Sequence, residues 1–124
     1  MRSSRVGVLG LLLFALASVS WGQTGTSTIR GTITDPQGRV VSGASVTLTN
    51  TATSAARTTK STDSGDYVFD LIPPGTYRVD FEATGFKRQS IAKVEALIGK
   101  PTDASTHLEI GTTGEVVEVV SSGQ

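Results

Sequence analysis

The chain has 124 residues, eleven basic and eleven acidic side chains, and no cysteine. That length holds one small domain. The even charge excludes an electrostatic pull toward nucleic acid or anionic lipid, and without cysteine the core must stabilise the fold unaided by disulfides.

The first stretch reads as a leader. Arg2 and Arg5 precede an almost wholly apolar run from Val6 to Val19, and small residues follow. This is the order of a secretory signal peptide, and the apolar run is too short for a comfortable membrane span. Cleavage after Gly22 is expected, with Ala15-Leu16-Ala17 an earlier alternative. Residues 1–22 are then the signal peptide, 23–27 a flexible lead-in, 28–111 a folded domain and 112–124 a C-terminal tail. The mature chain keeps 102 residues and a net charge of −2, with no stable membrane span after cleavage.

From Thr28 onward the hydrophobic period is two rather than 3.6, which predicts strands. Ile29, Gly31 and Ile33 alternate with Arg30, Thr32 and Thr34 in a first strand. Asp35-Pro36-Gln37-Gly38 stops it with the residues of a type I turn. Ala44, Val46 and Leu48 mark a second strand. The polar, β-branched run Arg57 to Thr62 reads as an edge strand whose Arg57 and Lys60 discourage edge pairing.

Asp63-Ser64-Gly65-Asp66 forms the next turn, with Gly65 supplying positive φ. Tyr67, Phe69 and Leu71 are expected to face inward, and Pro73-Pro74-Gly75 ends that strand because proline cannot donate to a ladder. Tyr77, Val79 and Phe81 repeat the inward pattern, and Gly85-Phe86 turns the chain. Val94, Ala96 and Ile98 make a further strand. Ala104, Thr106, Leu108 and Ile110 are the inward positions of the last one. About seven short strands with turns between them predict an all-β, seven-stranded antiparallel β-sandwich. Glu115 to Val120 is a final β-prone patch.

Gly31-Thr32-Ile33-Thr34-Asp35, Gly43 to Leu48, Asp63 with Gly65 to Phe69, Pro73 to Tyr77, and Gly85-Phe86 occur in this order across nearly the whole mature chain. Together they resemble the carboxypeptidase regulatory-like domain, a transthyretin-like (prealbumin-like, carbohydrate-binding-like) β-sandwich. The chain is similar in particular to the N-terminal extension of bacterial TonB-dependent receptors. The resemblance implies a non-catalytic accessory or interaction domain of the cell envelope, located in the periplasm, at the outer membrane or secreted. The chain stops at Gln124, where such a receptor would continue toward its plug, so a free-standing domain or a truncated product is expected. Ala104 and Thr106 stand where the family has larger apolar residues, so the last strand should pack thinly. The Lys–Asn isopeptide crosslink of related adhesin repeats is not expected, since the first strand has no lysine and the last no asparagine.

Few residues suit catalysis. His107, on an outward position, is the one histidine, and a zinc site needs more nitrogen or sulfur ligands than this chain supplies. No Gly-x-Ser-x-Gly elbow is present. Asp63 and Asp66 are too few for a calcium shell and fit a turn. No enzyme activity and no cofactor are expected.

A carbohydrate-binding module is the alternative function, and glycan a possible ligand. It needs an exposed aromatic platform; Trp21 leaves with the leader, and Phe86 is the candidate that remains. A regulatory role beside a carboxypeptidase is a further alternative. Glu115, Val117, Glu118 and Val119 are the other candidate interaction residues. An alternating strand there could add to the sheet edge of an envelope protein or receptor domain.

Overall fold

The structure, a computed structural model, describes residues 25–112, 114 and 116–119. The expected signal peptide, Glu115 and Val120 lie outside the described residues.

Nine strands are described: β1 Ser27–Thr34, β2 Ser45–Asn50, β3 Ala56–Lys60, β4 Asp66–Ile72, β5 Gly75–Glu82, β6 Arg88–Ala96, β7 Thr102–Asp103, β8 Thr106–His107 and β9 Val116–Val119. One sheet has the order β4-β1-β7, with β8 also on β1; the other has the order β3-β2-β5-β6-β9. Ile29 and Ile33 of β1 and Tyr67, Phe69 and Ile72 of β4 are buried against Val46 and Leu48 of β2 and Tyr77, Val79 and Phe81 of β5. The period-two pattern thus places one face of each sheet in a shared core.

Tyr67 meets Phe69 and Phe81 edge-on, with ring centroids 6.0 and 5.6 Å apart. These are the geometries that the aromatic quadrupole favours. Burial, and secondarily the charge of Asp103, pushes the Tyr67 hydroxyl well above its ordinary pKa. That hydroxyl donates to the Ala104 carbonyl, which ties the core to the segment between β7 and β8. There Gly31 is required by space: a Cβ would sit 2.7 Å from the Ala104 backbone.

The turns follow local chemistry. Gly38 N–H donates to the Asp35 carbonyl at 2.9 Å, and the Asp35 carboxylate accepts from the backbone of Gln37 and Arg39. Desolvation pushes its pKa up, but those two bonds and the Arg39 guanidinium prevail and hold it below the usual value. Gly65 has φ 77°, and a Cβ there would meet Val40 and the Ile33 carbonyl. Tyr77 closes the Pro-Pro-Gly corner by donating to the Pro73 carbonyl at 2.6 Å.

Four expectations are corrected. The sandwich is mixed rather than antiparallel, because β7 and β8 run parallel to β1 and β9 runs parallel to β6. A tight turn dictates antiparallel pairing only between the strands it joins, and the chain crosses between sheets before β7 and again before β9. The described strands number nine, since the last predicted one is split into β7 and β8 and β9 is added.

Leu71 faces out at 72% exposure, and Ile72 takes the core position. The register shifts between Ile29↔Phe69 and Ser27↔Ile72, so β4 carries one extra residue, and Leu71 has φ 56°. This is a β-bulge, which restarts the alternation one residue later. Ile98 and Ile110 are also exposed, at 61% and 64%. Ile98 follows the end of β6, and Ile110 follows β8, so neither is subject to the strand alternation that assigned it inward. In the last strand Ala104, Thr106 and Leu108 are buried as expected.

Candidate functional site

The two ends of the five-stranded sheet are β3 and β9. At the β9 end, Arg88, Gln89, Ser90 and Ile91 of β6 stand opposite Val116, Val117, Glu118 and Val119 in parallel register. Val116 and Val119 remain exposed and Val117 is half-buried. β9 is therefore held more by backbone pairing than by apolar burial. Its outer edge has no strand beside it among the described residues.

One polar cluster crosses these strands. Arg78 of β5 donates from Nε to Asp80 Oδ1 at 3.0 Å and from Nη2 to Ser90 Oγ at 2.9 Å. Its Nη1 reaches Glu118 Oε2 at 3.5 Å. Ser90 in turn donates to Asp80. The guanidinium is thereby fixed in plane by β5 and β6 and presents its remaining edge to β9, a use that suits the rigid donor fork of arginine. Sequence reasoning placed Arg78 and Asp80 on the outer face but gave them no role. Alternation puts Arg78 and Asp80 on one face, but the expected strand began at Val94, and the meeting with Ser90 depends on the register of β5 and β6.

Glu118 and Val119 are thus in β9, and Val117 pairs with Gln89. Phe86 lies elsewhere in its contacts: it bridges Ile110 and is half-buried against the core. Tyr67, Phe69, Tyr77 and Phe81 are core residues, each 4% exposed or less.

His107 is exposed and its Nδ1 lies against the Thr34 hydroxyl. The Asp66 carboxylate accepts from Thr32 Oγ1 at 2.6 Å. Among the described residues no group of three or more His, Cys, Asp or Glu side chains is placed to hold a metal ion. A groove of about 390 Å³ lies along Arg30, Thr32, Lys60, Asp66, Val68 and Asp103. A second, about 310 Å³, opens at the sandwich end between Leu48, Arg57, Ile72 and Tyr77. No helix among the described residues is long and apolar enough to cross a membrane.

This architecture is that of an all-β sandwich of the transthyretin-like kind. The carboxypeptidase regulatory-like domain family matches residues 28–109, and the chain belongs to that family. It is 28% identical over 123 residues to the TonB-dependent transporter Oar of Myxococcus xanthus, covering 98% of this chain and 11% of that protein. The chain therefore spans about a tenth of this relative.

Among solved structures it is similar to the Bacillus anthracis TIE protein, with TM-score 0.61, 18% identity, and 69% of this chain and 17% of the other covered. The minor pilin GBS52 of Streptococcus agalactiae gives 0.58 at 13% identity, covering 79% and 49%. An Acinetobacter catechol 1,2-dioxygenase gives 0.58 at 13% identity, covering 83% and 58%. At such identities the likeness is one of fold, and a shared fold carries no shared chemistry.

Proposed function

We propose that the chain is an exported, non-catalytic accessory domain of the cell envelope that joins a larger envelope protein by strand addition at its C-terminal edge. The observation that carries this reading is β9: a valine-rich strand at the end of a sheet, with its outer backbone unpaired among the described residues and Val116 and Val119 exposed. Exposed edges of this kind invite pairing unless they are blunted. Family membership and the similarity to a TonB-dependent transporter support the envelope setting. The basic n-region and apolar run before Gly22 support export. The interaction residues are Glu115, Val117, Glu118 and Val119, and Phe86 is the candidate platform of the glycan reading.

The test has two readouts. The full chain, expressed in a Gram-negative host, is fractionated and its N-terminus sequenced, and a photo-crosslinker is placed in turn at Val119 and at Val68. An envelope-fraction protein beginning near Gln23, with adducts to envelope protein from Val119 and not from Val68, is expected. Retention in the cytoplasm with an intact leader would overturn export. Adducts from both positions alike would overturn strand addition. A glycan reading would instead require saturable glycan binding that Phe86→Ala removes.

A further inference from the structure

The β6 edge already holds a strand, and the contacts that hold it are selective. Backbone pairing of Arg88 to Ile91 with Val116 to Val119 accepts any extended segment. Arg78 does not: its Nε and Nη2 are committed to Asp80 and Ser90, and the donor left facing the incoming strand is met by the Glu118 carboxylate. Ser90, the residue directly opposite Glu118, belongs to the same cluster. A strand shifted by one residue would set a valine against this charge. It would also turn Glu118 to the other face of the sheet, because side chains alternate.

We infer that the β6 edge is an exchangeable strand-acceptor site, and that Arg78 selects for it a strand parallel to β6 with a carboxylate opposite Ser90. Its resident occupant is the chain's own β9. The partner it fits is an extended segment of the same pattern, β-branched apolar residues around one glutamate, carried by another polypeptide. This rests on the strand-addition reading above but moves the accepting edge from the outer side of β9 to β6, which is bared when β9 leaves, and adds the strand direction and the side chain that selects it.

Exchange is favoured by how little holds β9. Arg78 and Glu118 retain 43% and 58% side-chain exposure, and ion pairs so exposed contribute little. The exposed valines Val116 and Val119 add little burial. A strand offered in trans competes with a tethered tail at high effective concentration. The accepting edge is therefore best revealed when the resident glutamate is reversed.

The test uses the full chain carrying Glu118→Lys, titrated with the end-blocked peptide Gly-Glu-Val-Val-Glu-Val-Val and followed by backbone amide NMR. Binding is expected to shift the Arg88 to Ile91 amides, and a spin label on the peptide N-terminus should broaden Arg88 more than Ile91. Replacing the second peptide glutamate by glutamine should weaken binding about two- to five-fold, and raised salt should erase that difference. Equal affinity of the two peptides at low salt, antiparallel broadening, or no binding would each overturn the inference. Failure of export would leave these results intact. Any of these outcomes would leave the export and crosslinking results as they stand.

Discussion

The five-stranded sheet ends in two strands of opposite character. β3 is polar and exposed, pairs antiparallel with β2 from Ser45↔Lys60 to Thr49↔Ala56, and is closed by a side chain of its own. Arg57 Nη1 donates to the Asp70 carbonyl at 2.9 Å and Nη2 to the Leu71 carbonyl at 3.4 Å, which pins the bulge of β4 in the facing sheet. β9 is apolar and parallel, and its one side-chain tether described is a half-exposed ion pair. Arginine serves both ends differently. Arg57 donates to two carbonyls at the bulge, and so ties its edge to the facing sheet. Arg78 presents a donor to whichever strand lies next to it. A domain with one sealed edge and one lightly held edge has a direction in which it can be extended.

Five substitutions break or sharpen this contrast. The largest effect comes from the core both edges share. Phe81→Ala should destabilise by about 3–5 kcal/mol, lowering the denaturation midpoint for probes in β3 and β9 alike. A loss confined to one edge would mean that the edges do not hang from a common core.

Tyr67→Phe leaves the Ala104 carbonyl without its donor and should cost about 1–3 kcal/mol. The same variant changes the pH profile. The folded-state pKa of Tyr67 is raised, so the tyrosine's contribution is complete below about pH 10 and is lost as pH rises toward the folded value. Alkaline unfolding curves of wild type should therefore fall above pH 10, and those of Tyr67→Phe should be flatter there. Asp35 has the opposite sign: its depressed pKa favours the folded state at neutral pH, and this is lost as pH falls from the unfolded value near 4 through the folded one. Asp35→Asn should shallow the acid limb.

Arg57→Ala should cost only about 0.5–1 kcal/mol, because water can take over its two exposed bonds, and should speed amide exchange in β3 while leaving β9 unchanged. Glu118→Gln is the smallest perturbation, below about 1 kcal/mol in global stability. Its effect should be local, raising exchange in β9 and not in β3.

Much of this was legible in the sequence. The inward ranks of Val46 and Leu48, Tyr67 and Phe69, and Tyr77, Val79 and Phe81 follow from alternation alone, and Gly65 had to sit at positive φ because a tight turn needed it. Leu71 failed for a definite reason. Alternation holds only while the ladder is regular, and one extra residue in β4 exchanges Leu71 with Ile72.

The parallel strands were beyond reach for a different reason. A crossover between sheets, unlike a hairpin turn, leaves strand direction to packing that no local signal encodes. The edge chemistry lay in between. Glu118 and Val119 were visible as a β-prone patch, whereas Arg78 gained its role through register with Ser90 and Glu118, a relation between residues far apart in the chain. Phe86 was chosen as an exposed ring by elimination, and the bridge to Ile110 that half-buries it is likewise a long-range contact.

Native-state hydrogen exchange on the full wild-type chain, across sub-denaturing denaturant, compares the two edges most directly. The amides of β9 bonded to β6 should open by a local, nearly denaturant-independent route, well below the free energy of global unfolding. Those of β3 bonded to β2 should converge on the global isotherm. Coincident isotherms for β9 and β3 would contradict the account, because β9 would then be as firmly built into the fold as the edge that Arg57 seals.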